Sequence, residues 1–384
     1  MGVQVQNKRR WDHLNTGFLL GTLGLALVLV PLVFAHSLHH WGAWVVFLVM
    51  LVSVGLAVTC GYHRLFSHRA YQAVWPVRLL LLCLGAASFE NSALVWDSDH
   101  RLHHRSVDRD EDPYNSRKGF WYAHWIWVME ARTHGLAGVA DLQKDPLVRW
   151  QHRHPFLIGA LAATALPVLA GLATHNLVDC LIIGLLLRIV VTHHTTFFIN
   201  SAAHFFGTQP YSDAHSARDN AFLAPLTYGE GFHNYHHTWQ WDYRNGVKWY
   251  QWDPAKWIIK VWSWAGLASG LRSVPAAVID RARIRMEEKA LLASLAQASP
   301  QAVELLNPRV TRAWQRLDQA LQVLQEHREA WELRKAERKA HRAEAWAQRR
   351  AEWRQAMVQH RQELNLALGE WRAARLEVRR AAFV

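Results

Sequence analysis

Long apolar runs alternate along the chain with polar stretches dense in histidine, tryptophan and arginine. Four runs are uncharged or nearly so and long enough to cross a bilayer core: Gly17–Ala35, Gly42–Cys60, Phe156–Thr174 and Leu177–Asn200, the last interrupted by Arg188. The first is longer than the core of a signal peptide, and an equally apolar run follows at once. A fifth, Val77–Phe89, is too short to span and is closed by Glu90 and Asn91, which predicts a helix lying in the membrane interface. From about residue 281 the chain turns to Ala, Arg, Glu, Gln, Leu and Trp. Pro300 and Pro308 are expected to break this stretch early, and 309–380 then reads as a long polar helix or a pair of helices. Trp314, Leu317, Leu321, Leu324 and Trp331 form a partial heptad stripe, so a coiled coil there is only weakly specified. The pattern predicts an all-α integral membrane protein with four transmembrane helices. Its parts are an N-terminal segment 1–16, a membrane and histidine-rich domain 17–280, and a polar helical extension 281–384.

Composition sharpens this picture. Hydrophobic residues make up 51% of the chain and charged residues 19%, which excludes a disordered or collagen-like chain. The formal net charge is +12, and +8 of it lies in residues 281–384, so the rest is nearly neutral. Basic charge beside membrane spans favours an anionic lipid surface over nucleic acid as the partner. Cys60, Cys83 and Cys180 form no C-x-x-C pair, so a protein-bound iron–sulfur cluster is not expected. Lys8, Arg9 and Arg10 precede the first span and the 61–155 segment carries 12 Lys/Arg, whereas the turns at 36–41 and 175–176 carry none. By the positive-inside rule both chain ends and the long loop are cytoplasmic. Trp121, Trp125, Trp239, Trp249 and Trp257 would suit the headgroup level on that side.

Histidine spacing is the strongest chemical signal. His63 and His68 follow the second span, His100, His103 and His104 lie in the long loop, and His204 closes the fourth span. His233, His236 and His237 come after it. Positions i, i+3 and i+4 share one helix face, so each H-x-x-H-H is expected to aim three imidazoles at one point. Nine neutral imidazoles are too many for one metal and about right for two, and nitrogen-rich sites suit iron, copper, nickel or zinc. Asp99, Glu230 and Asp97 are the carboxylates placed to orient the rings. His36, His39 and His40 repeat the same spacing, but in a turn on the opposite side of the membrane, and read as a polar cap rather than a ligand set.

HRLFSH, DHRLHH, NSAAHFFG and GEGFHNYHHTW resemble the histidine boxes of membrane fatty-acyl desaturases of the stearoyl-CoA (delta-9) type, and DEDPYNSRKGFWYAHWIW resembles the stretch after their second box. The resemblance runs from about Thr16 to Pro275 and implies a di-iron centre held by His63, His68, His100, His103, His104, His204, His233, His236 and His237. Asn200 would hold a metal through water. Two departures stand out. Tyr114 occupies the histidine position of the family's D-P-H-N, and Ser98-Asp99 replaces the Arg-Asp pair that helps animal enzymes hold CoA.

The resemblance implies an O2-dependent oxidoreductase that inserts a cis double bond, at the delta-9 position, into a saturated acyl-CoA or acyl-lipid chain. Two iron ions would be the cofactors, because no side chain breaks an unactivated C–H bond. Electrons would come from an external ferredoxin, cytochrome or flavin reductase, since His154-Pro155-Phe156-Leu157 lacks the signature of a fused cytochrome b5. The extension could serve oligomerisation. A histidine-box hydroxylase and a non-catalytic metal-binding scaffold are the alternatives. For the acyl tunnel, the second span enters His63 directly, so Gly55, Leu51 and Phe47 on its aligned face, with His193 and His194 in the fourth span, are the candidate lining.

Overall fold

The computed structural model describes residues 10–39, 41–132, 135–297, 300–336 and 343–381. Those residues fall into two compact units: Met1–Gln209 with Ala214–Ser273, and Pro210–Asp213 with Val274–Val384.

In the first unit, four apolar helices span His13–His39, Gly42–Ser67, Pro155–Ala173 and Leu177–Phe205. At 19 to 29 residues each is long enough to cross a hydrocarbon core. The first helix leaves Leu27 69% and Leu32 74% exposed, a surface that water would penalise and lipid would cover. These helices insert the chain in a membrane. The short apolar segment forms the helix Trp75–Ala86, entered through Val74 and Pro76. It packs on the second and third spans, with Trp75 and Leu80 left exposed. Strand β1 (Gln72–Ala73) pairs antiparallel with β2 (Ala268–Ser269), so the end of the unit is tied to its first turn after the second span. His36 Nδ1 lies 2.8 Å from Asp179 Oδ2, which joins the ends of the first and fourth spans; His40 lies outside the described residues.

The second span carries a feature that apolar periodicity does not reveal. From Val58 to Ser67 it is π-helical, and the His68 N–H donates to the His63 carbonyl at 3.1 Å, five residues back. In an α-helix, positions five apart point in different directions. The wider turn brings His63 and His68 onto one face, in keeping with the tendency of π segments to sit at functional sites.

The second unit consists of the helices Ala276–Leu295, Pro300–Ala336 and Ala343–Ala381. Ile284, Leu295, Val310, Leu317, Leu321, Trp371 and Val378 form its core. Pro300 starts the second of these helices, but Pro308 lies inside it, contrary to the expected break. Pro300 removes a donor that has no intrahelical acceptor, whereas Pro308, eight residues further on, forgoes the bond to the Glu304 carbonyl without ending the helix. Arg309–Glu377 at 3.1 Å and Arg316–Glu370 at 2.5 Å cross-link the two long helices.

Candidate metal centre

Nine histidines converge in two groups. His63, His68, His100, His104 and His236 form one, and His103, His204, His233 and His237 the other, with the ligand atoms of each group within 4.8 Å of one another. The boxes are therefore divided rather than shared whole. On the helix Ala93–Ser106, His100 and His104 (i, i+4) enter the first group and His103 the second. On His233–Thr238 the assignment reverses: His233 and His237 (i, i+4) enter the second group and His236 the first. The expectation that each box aims at a single point is corrected by this division. A position three residues on is rotated about 60° from i, enough for a ring between two sites to reach the neighbouring one.

The convergence is through Nε2. His63–His236 and His68–His100 stand at 2.9 Å, His236–His104 at 3.0 Å, His237–His233 at 3.1 Å, and His103–His237 and His233–His204 at 3.2 Å, all Nε2 to Nε2. Nδ1 is turned outward on at least three rings: His63 to Glu230 Oε2 at 3.2 Å, His103 to Asp112 Oδ1 at 2.8 Å, and His204 to Ser216 Oγ at 2.7 Å. A ring that donates Nδ1–H presents an Nε2 lone pair inward. Crowded inward lone pairs repel unless a cation sits among them. Adjacent nitrogens on an ion at about 2.1 Å would stand about 3 Å apart, so the donor set fits metal ions in both groups. Burial, then the neighbouring imidazoles, holds His68, His100, His104, His236 and His237 well below the ordinary histidine range, and His233 likewise. They are neutral at pH 7, as metal ligation requires.

The orienting carboxylates differ partly from those expected. Glu230 reaches His63 and also accepts from Arg64 at 3.0 Å, from Thr59 and from Asn245. Burial alone would raise its carboxyl, but His63 and Arg64 beside it bring it down to about 2. Asp99 instead meets Arg132 Nη2 at 2.5 Å. Asp97 is fully buried with neither oxygen hydrogen-bonded among the described residues. Asp112 does for His103 what Glu230 does for His63. Ser216, which orients His204, is itself held by Asp108 through its N–H at 2.7 Å. Arg64, Asp108 and Ser216 were not picked out in the sequence as supports of the site, because Arg64 meets Asp253 across 189 positions and Asp108 meets Ser216 across 108. A tenth histidine, His215, places its ring 5.2 Å from that of His237. Tyr114, at the position where the family's motif has histidine, lies 4.8 Å from the His103 ring.

A cavity of about 770 Å³ opens onto this centre, lined among others by His63, His100, Trp96, Asn200, Gly55 and Tyr228. Trp96 stacks on His100 at 4.7 Å and is steadied by Glu90, whose Oε2 accepts from its indole N–H at 3.2 Å. Of the tunnel residues expected, Gly55 and His193 are in the lining. Phe47 packs among Ala43, Cys180 and Ile183, Leu51 is absent from the wall, and His194 Nδ1 turns to His124 Nε2 at 3.0 Å. It is His193, bonded through Nε2–H to the Ser88 carbonyl at 2.8 Å, that faces the cavity.

Residues 39–261 match the family model described as fatty acid desaturase. The chain belongs to the fatty acid desaturase family. It is 41% identical over 286 residues to a probable acyl-CoA desaturase of Schizosaccharomyces pombe, covering 73% of this chain and 59% of that protein. It is 43% identical over 239 residues to acyl-CoA desaturase 1 of Saccharomyces cerevisiae, covering 61% and 47%. Against stearoyl-CoA desaturase 5 of Bos taurus it is 34% identical over 280 residues, 70% of this chain and 82% of the other. The chain thus spans about half the length of the two yeast relatives. The matched region contains all nine converging histidines and the cavity residues from Gly55 to Tyr228.

Proposed function

We propose that this desaturase inserts a cis double bond, at the delta-9 position, into a saturated fatty acyl-CoA, with two iron ions as cofactors and O2 as oxidant. The observation that carries the reading is that an acyl-sized cavity is walled by His63 and His100 of the first Nε2-convergent group, with the second group joined to the first through neighbouring box histidines. His63, His68, His100, His104 and His236 would hold one iron. His103, His204, His233 and His237 would hold the other, with Asn200 reaching a metal through water. Bound iron supplies the O2 reduction needed to remove hydrogen from two adjacent unactivated carbons, releasing water. The protein's own part is positional. Glu230 and Asp112 fix the His63 and His103 rings, and Trp96 and Tyr114 wall the site against solvent.

The acyl-CoA reading rests on the relatives' names and on the cavity's charged rim. Lys118 and Arg132 line it beside the acidic Asp99, Asp110, Glu111 and Glu130, and the Arg–Asp pair absent from the second box has a counterpart in space in Arg132 and Asp99. The basic segments flanking the spans support a cytoplasmic centre, and an external ferredoxin, cytochrome or flavin reductase would reduce it. Expression in a host lacking desaturases, with fatty-acid profiling of the membrane, tests the proposal. A new alkene supports it, an alcohol would make the chain a hydroxylase, and no new product with metal bound would favour a scaffold.

A further inference from the structure

We propose that Tyr228, seated in the notch left by Gly55, is the plug that closes the acyl cavity and sets the longest chain accepted, an inference that rests on the desaturase reading. On the second span the cavity wall consists of Gly55, Val58, Thr59 and His63, with nothing before Gly55. Eight residues separate Gly55 from His63, about 12 Å of helix. A channel continuing along that face would meet Leu51 next, so something stops it at Gly55.

Tyr228 is that stop. A Cβ at Gly55 would fall 2.2 Å from a ring carbon of Tyr228, so the ring occupies the space a side chain there would need. The ring reaches across to the fourth span, where its hydroxyl lies 3.1 Å from Thr195 Oγ1. Thr195 already donates to the Thr192 carbonyl at 2.9 Å, so the Tyr228 hydroxyl is the donor. The tyrosine thereby bridges two spans and bars the gap between them. Its backbone has φ 55°, a region in which bulky L residues are rare, and such outliers cluster at functional sites. The neighbouring turn holds it there: the Gly229 N–H donates to the Ala224 carbonyl at 2.8 Å, with Gly229 at φ 102°. Tyr228 stands two residues before Glu230, so one short segment both blocks the chain's far end and orients a ring of the metal centre.

The test is competition in the iron-loaded protein among saturated acyl-CoAs of increasing length, read as product ratios. Tyr228→Ala should raise kcat/KM for chains beyond the wild-type optimum by about fourfold per added methylene buried. Tyr228→Phe keeps the ring and should leave the ratio unchanged. Gly55→Leu with Tyr228→Ala refills the notch and should return the ratio toward wild type. Tyr228→Leu, a smaller change, serves if the alanine variant does not fold. An unaltered ratio in a folded Tyr228→Ala or Tyr228→Leu protein overturns the proposal. If the wild type converts no chain at all, the desaturase reading has failed. The plug is then judged by thermal shift with the same acyl series, where an optimum unmoved by Tyr228→Ala or Tyr228→Leu overturns it.

Discussion

His103 stands with Nδ1 2.8 Å from Asp112 Oδ1 and Nε2 directed at the second histidine group, on a helix whose other two box histidines serve the first group. The carboxylate fixes the tautomer that leaves the inward nitrogen free to ligate. Asp112→Asn should therefore lower metal affinity or activity by about 10–100-fold, with the loss concentrated in the second group. Metal titration of the variant, followed by iron analysis at limiting metal, checks this. Wild-type affinity at both sites would show that Asp112 does not position the ring.

The division of each H-x-x-H-H box makes a sharper forecast. His104→Ala removes a ligand from the group containing His63, and His103→Ala removes one from the group containing His204. Each should weaken metal at one site while the other stays filled, giving about one ion per chain instead of about two. Identical spectroscopic losses in the two variants would mean that the groups do not act as separate sites. His39→Ala, in a ring bonded to the Ala35 carbonyl at 3.0 Å, should be silent in both metal content and turnover.

A stability test comes from Asp97, fully buried and without a hydrogen-bond partner among the described residues. Burial pushes its carboxyl well above the usual carboxylate range, with Arg101 opposing. A carboxyl whose pKa is raised on folding contributes fully at pH below its unfolded value. That contribution is lost as pH rises from about 4 through the raised native value. Asp97→Asn should abolish this slope, so the variant gains melting temperature over the wild type as pH increases. Parallel melting curves for the two proteins across pH 4–8 would contradict the burial argument.

The spans, the short apolar helix and the nine histidines were legible in the sequence because each rests on local spacing. Apolar run length found the four spans, and i, i+3 and i+4 periodicity found the helix faces. The structure brings the nine histidines together, but it splits the boxes in a way periodicity does not show. His103 lies one position from His104, and only the approach of the segment 233–237 decides which group each ring joins. The π turn at Val58–Ser67 was hidden because an added residue per turn leaves no mark in composition. Arg64, Asp108 and Ser216 were hidden because they act through contacts distant in sequence. The tunnel expectation followed one helix face toward Leu51 and Phe47, and periodicity carries no sign that the Tyr228 ring occupies the space beside Gly55.

The helical extension forms a unit with its own core, bounded at Val274. A chain ending at Ser273 keeps every converging histidine and the whole cavity lining, so turnover should stay within about threefold of the full chain. Abundance, oligomeric state or coupling to a donor is where a change is expected. Complete loss of turnover in folded, iron-loaded truncated protein would place the extension in the reaction.

The most direct test of the central claim is the product formed in a desaturase-deficient host expressing the chain, with double-bond position located by mass spectrometry. A cis alkene at one fixed position, absent when His236→Ala is expressed to the same level, is the expected result. A hydroxylated chain, or an alkene that persists with His236→Ala, would contradict it.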